Sequence, residues 1–157
     1  MTWETAGMEY IKIVPEPTGF FLDPTAYLER LPDLAAKLPP GAARFATDPD
    51  HYSFFGDRCV KDLHLVSVDF ARENRELTVT ARFSWHEGTP VVLTITYDRV
   101  GELRLESGEG PVQLDETLPH ERGCRHEIQL IGGSIVVVCA DFEAVWSHQG
   151  SDPETSK

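Results

Sequence analysis

Basic residues are scarce in this chain. Fourteen lysines and arginines stand against twenty-six aspartates and glutamates, a formal net charge of −12. Proteins that grip a phosphate backbone do so by neutralising phosphates with lysine and arginine, so this balance speaks against nucleic acid as a partner. Cysteine is sparse as well, with only Cys59, Cys124 and Cys139 and no Cys-x-x-Cys pair. A small disulfide scaffold wants an even and denser set, so the expectation is a reducing cytoplasm and free thiols buried as small hydrophobes. No apolar run approaches the ~18 residues of a membrane-spanning helix, so no membrane partner is expected. The opening Met1-Thr2-Trp3-Glu4-Thr5 lacks the apolar stretch of a secretory leader, in keeping with a cytoplasmic location.

Catalytic signatures are missing too. There is no Gly-x-Gly-x-x-Gly, no Gly-x-x-x-x-Gly-Lys and no Gly-x-Ser-x-Gly, which removes the obvious nucleotide sites and the nucleophile elbow. His-Glu occurs at His86-Glu87, His120-Glu121 and His126-Glu127, but never with the following x-x-His of a helical metalloprotease. No cofactor is expected on these grounds.

What is present fits one soluble domain. The 157 residues are 41% hydrophobic and 25% charged, enough for a core of ordinary size. Residues 1–146 read as that domain. Residues 147–157, without an apolar anchor, read as a disordered tail. The charge is uneven: ten of the acids but only Arg122, Arg125 and Lys157 among the bases lie beyond Arg104. Such an excess suits either a solvated acidic face that aids solubility or a lure for a basic partner, whose association it would speed at low salt.

Met8–Val14 reads as a first strand, closed by Pro15-Glu16-Pro17-Thr18-Gly19. Asp23-Pro24 is a helix start, with a carboxylate for the unpaired N–H groups and proline in the first turn. Tyr27, Leu31, Leu34 and Leu38 then recur at helical spacing, with an interruption expected at Pro32 and an end at Leu38-Pro39-Pro40-Gly41. The segment 41–57, with Asp48-Pro49-Asp50-His51-Tyr52, has no clear assignment, and its aromatics suit either a plug for the core or a functional loop.

Beyond Arg58 the period changes to two. Strands are expected at 59–70, 77–85, 91–97, 103–105, 112–114, 124–131 and 135–146, the last being one strand or two. Short connections favour antiparallel neighbours. The predicted fold is α+β, mainly β: an antiparallel meander, strongly curved or partly closed, with one N-terminal helix packed on it. Parity sets two hairpins. Trp85 opposite Val91 and Phe83 opposite Leu93 keep the apolar residues on one face, with Glu87-Gly88-Thr89 in a bulged turn. A turn at Gly132-Gly133 would set Leu130 opposite Ile135, Ile128 opposite Val137 and His126 opposite Cys139.

Three constellations follow. Cys124, His126, Cys139 and Asp141 would share one face of the second hairpin, and two thiolates, an imidazole and a carboxylate are a possible zinc set. Packed thiols, with His126 bonded to Asp141 or to backbone, are the plainer alternative. His51, His64 and Asp62 are candidates for general acid–base chemistry in a pocket between helix and sheet, as in a small enzyme or small-molecule binder. Glu106, Glu109, Asp115, Glu116 and Glu121 are candidates for an exposed acidic surface that receives a partner. An open edge strand also leaves a homodimer possible.

The runs Asp62-Leu63-His64-Leu65-Val66-Ser67-Val68, Leu93-Thr94-Ile95-Thr96-Tyr97-Asp98-Arg99-Val100, and His126-Glu127-Ile128 followed by Ile135–Glu143 resemble small bacterial β-rich proteins grouped with the immunity proteins of polymorphic toxin systems. The resemblance spans residues 55–146 and lies in strand texture. It implies a stoichiometric inhibitor that covers a toxin, and the acidic balance suits a basic, nuclease-type toxin.

Overall fold

The computed structural model describes residues 8–54, 56–85, 91–106 and 108–148. The first element among the described residues is a hairpin, β1 (Lys12–Glu16) and β2 (Gly19–Asp23), turned by Pro17-Thr18. The Pro-rich stretch expected to end a strand is therefore the turn that returns it. Helix α1 (Thr25–Ala35) follows, and Asp23 accepts a hydrogen bond from the Thr25 N–H at 3.0 Å. The interruption expected at Pro32 does not break the helix: Pro32 sits inside α1, which runs on to Ala35.

Pro39-Pro40-Gly41 does not close the helical region. It opens a second helix, α2 (Pro40–Ala46), with Pro40 in the first turn, where its missing N–H costs nothing. The cap comes from far along the chain: Asp141 accepts the N–H groups of Gly41 at 3.0 Å and Ala42 at 2.8 Å. Gly41 has to be glycine, because a Cβ there would run into the carbonyl oxygen of Phe142. The expected single helix is thus two, and the second depends on a tertiary contact.

The remaining strands are β3 (His64–Glu73), β4 (Glu76–Trp85), β5 (Val91–Asp98), β6 (Glu102–Glu106), β7 (Val112–His120), β8 (Gly123–Leu130), β9 (Gly133–Cys139) and β10 (Asp141–His148). They form two four-stranded antiparallel sheets, ordered β10-β5-β4-β3 and β6-β9-β8-β7. Each holds a three-strand meander plus one strand sent across from the other half. The corner is tied by backbone bonds from Gly101 N–H to Val138 O (2.8 Å) and from Ala140 N–H to Asp98 O (3.0 Å).

The mainly β, antiparallel character of the sequence reading holds, but the sheets are neither closed nor strongly curved. Two sheets can bury their apolar faces against one another without closing, and that is the solution here. Val79, Ala81, Phe83, Leu93, Ile95, Tyr97 and Phe142 of one sheet share a core with Ile128, Leu130, Ile135 and Val137 of the other. Phe45 of α2 joins them.

The hairpin registers test the parity argument. Trp85 lies opposite Val91 and Phe83 opposite Leu93, as predicted; the turn proposed at Glu87-Gly88-Thr89 is outside the described residues. In the β8–β9 hairpin the turn is Ile131-Gly132, with Leu130 opposite Gly133, so Ile128 meets Ile135, His126 meets Val137 and Cys124 meets Cys139. The predicted pairing was out by two residues. A shift of two preserves the faces, and Gly132, at φ +88°, supplies the left-handed residue the tighter turn requires. The strand expected from 59 begins only at His64, and that expected at 112–114 runs on to His120. The stretch 135–146 is two strands in different sheets, and β10 continues to His148, past the predicted domain end.

One irregularity positions the site. The β7–β8 register shifts between Val112 and Leu114, so Gln113 is an extra residue. Val112 pairs with the core residue Leu130, whereas Leu114 pairs with Gln129 and packs in a separate cluster with Ile11 and Tyr27. The bulge therefore reverses the faces of everything after it and turns Asp115 into the core.

Candidate functional site

Four polar side chains meet inside this core. Asp115 of β7 lies between two imidazoles, accepting from His51 Nε2 through Oδ1 at 2.7 Å and from His126 Nε2 through Oδ2 at 2.7 Å. His126, on β8, has Nδ1 at 2.8 Å from the Tyr97 hydroxyl of β5 in the opposite sheet. His51, just beyond α2, has Nδ1 at 2.9 Å from the Phe45 carbonyl. Side-chain exposure is 1% or less for His51, Asp115, His126 and Tyr97. Phe142 stacks on His126 with centroids 4.9 Å apart, and Phe45 sets its ring against His51 at 4.4 Å. Tyr52 donates its hydroxyl to the Asp115 carbonyl at 2.7 Å, and Tyr27 donates to the Thr117 carbonyl at 2.7 Å.

The partners fix the protons. Both His51 nitrogens face acceptors, a carbonyl and a carboxylate, so both carry hydrogen and the ring is an imidazolium. His126 meets the Asp115 carboxylate with Nε2 and the Tyr97 hydroxyl with Nδ1. Burial by itself pushes His51 down, but the charge and hydrogen bond of Asp115 outweigh it and the imidazole titrates above its ordinary value. Burial pushes Asp115 up, and the two histidines more than reverse this, holding the carboxyl well below its usual range. Burial drives the Tyr97 and Tyr52 phenols upward.

Two further carboxylates are buried on the outer face of the same sheet. Glu116 and Glu127 are cross-strand neighbours, each 1% exposed. Glu116 accepts the backbone N–H groups of Glu9 (2.8 Å), Tyr10 (2.5 Å) and Ile11 (3.0 Å), pinning the strand-entry segment onto the sheet. Glu127 accepts from Arg125 Nη1 at 2.9 Å. Burial raises both carboxyls above their ordinary value despite these partners.

A pH dependence follows. Asp115 titrates low when folded, so its contribution is complete above pH ~4 and lost as pH falls below that. His51 titrates high, so its contribution is complete below pH ~6.5 and lost as pH rises through its folded value. Glu116 and Glu127 also bind protons more tightly when folded, so their ionisation subtracts stability as pH rises beyond ~4.5. Urea denaturation from pH 3 to 9 should give a maximum near pH ~4.5, with stability falling from there toward pH 8. A curve that climbs from pH 5 to 8 contradicts the assignment.

The sequence candidates fare differently. Of the five acids expected on one surface, Asp115 and Glu116 are in the interior, so that patch is not built as predicted. Glu106, Glu109 and Glu121 are exposed, but Glu109 and Glu121 flank opposite ends of the nine-residue β7, ~30 Å apart at the usual strand rise. His51 is in the buried chain, whereas Asp62 ion-pairs with Lys61 at 2.8 Å and His64 lines a small pocket with Leu65, Leu105 and Glu106.

The zinc set does not converge either. Cys124 and Cys139 lie with Sγ atoms 3.8 Å apart, but both His126 nitrogens are engaged and Asp141 is spent on Gly41, Ala42 and Phe142 N–H groups. Among the described residues no group of three or more His, Cys, Asp or Glu side chains is arranged to hold a metal. The three thiols are buried, as expected. His126 bonds to Asp115 and Tyr97, not to Asp141. Sequence reasoning missed Tyr97, whose only signal was its place on an inward-facing register, and Gln113, which carried none.

The accessible feature is elsewhere. The β1–β2 hairpin exposes Val14 (47%), Phe20 (45%) and Phe21 (52%). Beside it runs a groove of about 500 Å³, lined by Ile11, Ile13, Phe20, Gln113 and Ile131 among others. Of the hairpin's charged residues, Lys12 lies opposite Asp23 at its base and Glu16 opposite Gly19 at its turn end. Among the described residues, no helix is long and apolar enough to cross a membrane. Comparison with known proteins gives no match, whether to a family model, a curated protein or a solved structure.

Proposed function

We propose that this chain is a stoichiometric protein-binding module of the toxin-neutralising kind, and that its contact surface is the β1–β2 hairpin with the adjoining groove. The observation that carries the reading is the exposure of Val14, Phe20 and Phe21, about half of each, on one short ribbon. Large apolar side chains clustered at the surface are typical of interaction sites. The net charge of −12 favours a basic partner, such as a nuclease-type toxin. A catalytic reading through His51 has less support, because a ring 1% exposed cannot meet a substrate. The edge strands β3, β10, β6 and β7 are the places where a second copy would pair.

The test is a neutralisation and binding assay against purified basic nuclease toxins, with the double variant F20D/F21D as the comparison. The expected results are inhibition at equimolar ratio, association that slows at least tenfold between about 50 and 500 mM salt, and loss of binding in the variant with melting unchanged. Binding that survives F20D/F21D, or turnover of a small molecule with no protein bound, overturns the proposal.

A further inference from the structure

We infer that Cys124 and Cys139 form a modification site: a cross-strand pair built to close as an intrachain disulfide when the chain folds under oxidising conditions, with Cys59 left as the thiol. The residues are directly opposite on β8 and β9, and their Sγ atoms are 3.8 Å apart. Directly opposed residues of an antiparallel pair have Cα atoms ~4.5 or ~5.5 Å apart, and both spacings lie within the range that a disulfide spans. Rotation about the side-chain bonds therefore closes the gap without moving the strands. Cys59 precedes β3 and belongs to no strand, so it faces neither of these cysteines across a strand pair.

The folded dithiol is protected. Both side chains are 0% exposed, and Cys139 donates to the Asp141 carbonyl at 3.3 Å. The hydrogen bond with Cys124 and burial push the Cys139 thiol far up, so little thiolate exists in the closed core. Reaction has to occur before the strands close or during an opening. The reagent is a low-molecular-weight disulfide such as oxidised glutathione. One cysteine thiolate attacks a glutathione sulfur, breaking its S–S bond and releasing one glutathione thiolate. The second cysteine thiolate then attacks the mixed disulfide, forming the Cys124–Cys139 bond and releasing the second glutathione. Two cysteine thiols are oxidised, one disulfide is reduced, and the two protons go to solvent or glutathione. Once buried, the bond is shielded from reductant for the same reason, so the pair records the redox state in which the chain folded.

The experiment refolds the full chain from urea in reduced or oxidised glutathione and maps the disulfide by mass spectrometry of unreduced peptides. The oxidised sample should lose two hydrogens, carry a Cys124–Cys139 linked peptide and melt roughly 5 to 12 °C higher, from closure of a fifteen-residue span. The same linkage should form in Cys59→Ala, and folded reduced protein should react with oxidised glutathione at least 100-fold more slowly than unfolded protein. Linkage through Cys59, mixed glutathione adducts without a Cys124–Cys139 bond, or an oxidised form that melts below the dithiol overturns the inference.

Discussion

Asp115→Asn is expected to cost about 3 to 5 kcal/mol of folding stability, the loss typical of a buried ion pair broken on one side. The substitution preserves volume and shape but replaces one carboxylate oxygen by an NH2 group. Whichever way the amide turns, it sets a donor against the N–H of His51 or of His126, both at 2.7 Å from the native carboxylate. It also leaves the His51 imidazolium buried without a counter-charge. Against a typical total of 5–15 kcal/mol, this brings the domain near the limit of stability. Urea denaturation at pH 6 measures it. Because loss of either partner strands the other, H51F combined with D115N should cost less than the sum of the single changes. A D115N loss below about 1 kcal/mol would mean that the chain of histidines does not hold the two sheets together.

Glu116→Ala should cost about 2 to 4 kcal/mol, by stranding the three N–H groups of Glu9, Tyr10 and Ile11 that its carboxylate receives. Much of that penalty can be avoided by letting the segment lift away, since water then satisfies the freed N–H groups. Hydrogen exchange at residues 9–11 should therefore accelerate on the order of 100-fold, while amides of β8 and β9 stay protected. The segment leads directly into β1, so the variant should also weaken binding through the hairpin without altering a contact residue. Unchanged exchange at Tyr10 and Ile11 would show that the apolar cluster of Ile11, Tyr27 and Leu114 suffices to hold the segment.

Much of the strand framework was legible because the period of two and the parity of hairpin loops are local properties. The Trp85–Val91 register came out as predicted, and the β8–β9 faces survived a two-residue error because a slip of two returns each side chain to its own face. Helix α2 was hidden for the opposite reason. Its first turn carries no acidic residue, and its cap belongs to Asp141, about a hundred residues away. Proline and glycine at 39–41 therefore read as an end when they mark a beginning.

The members of the buried chain were visible one at a time, in the wrong company. His51 stood out beside its aromatics, His126 beside the cysteines, and Asp115 among the acids, and only the fold put them together. Composition fixed the acidic balance and the thiol count, and alternation fixed which strand residues point inward, because each depends on the residues themselves and their nearest neighbours. The fate of Asp115 turned on one extra residue, Gln113, whose bulge reverses the faces of β7. Local preference is nearly indifferent to such a bulge; pairing with β8 and the two waiting imidazoles decide it, and they exist only once the sheets have packed.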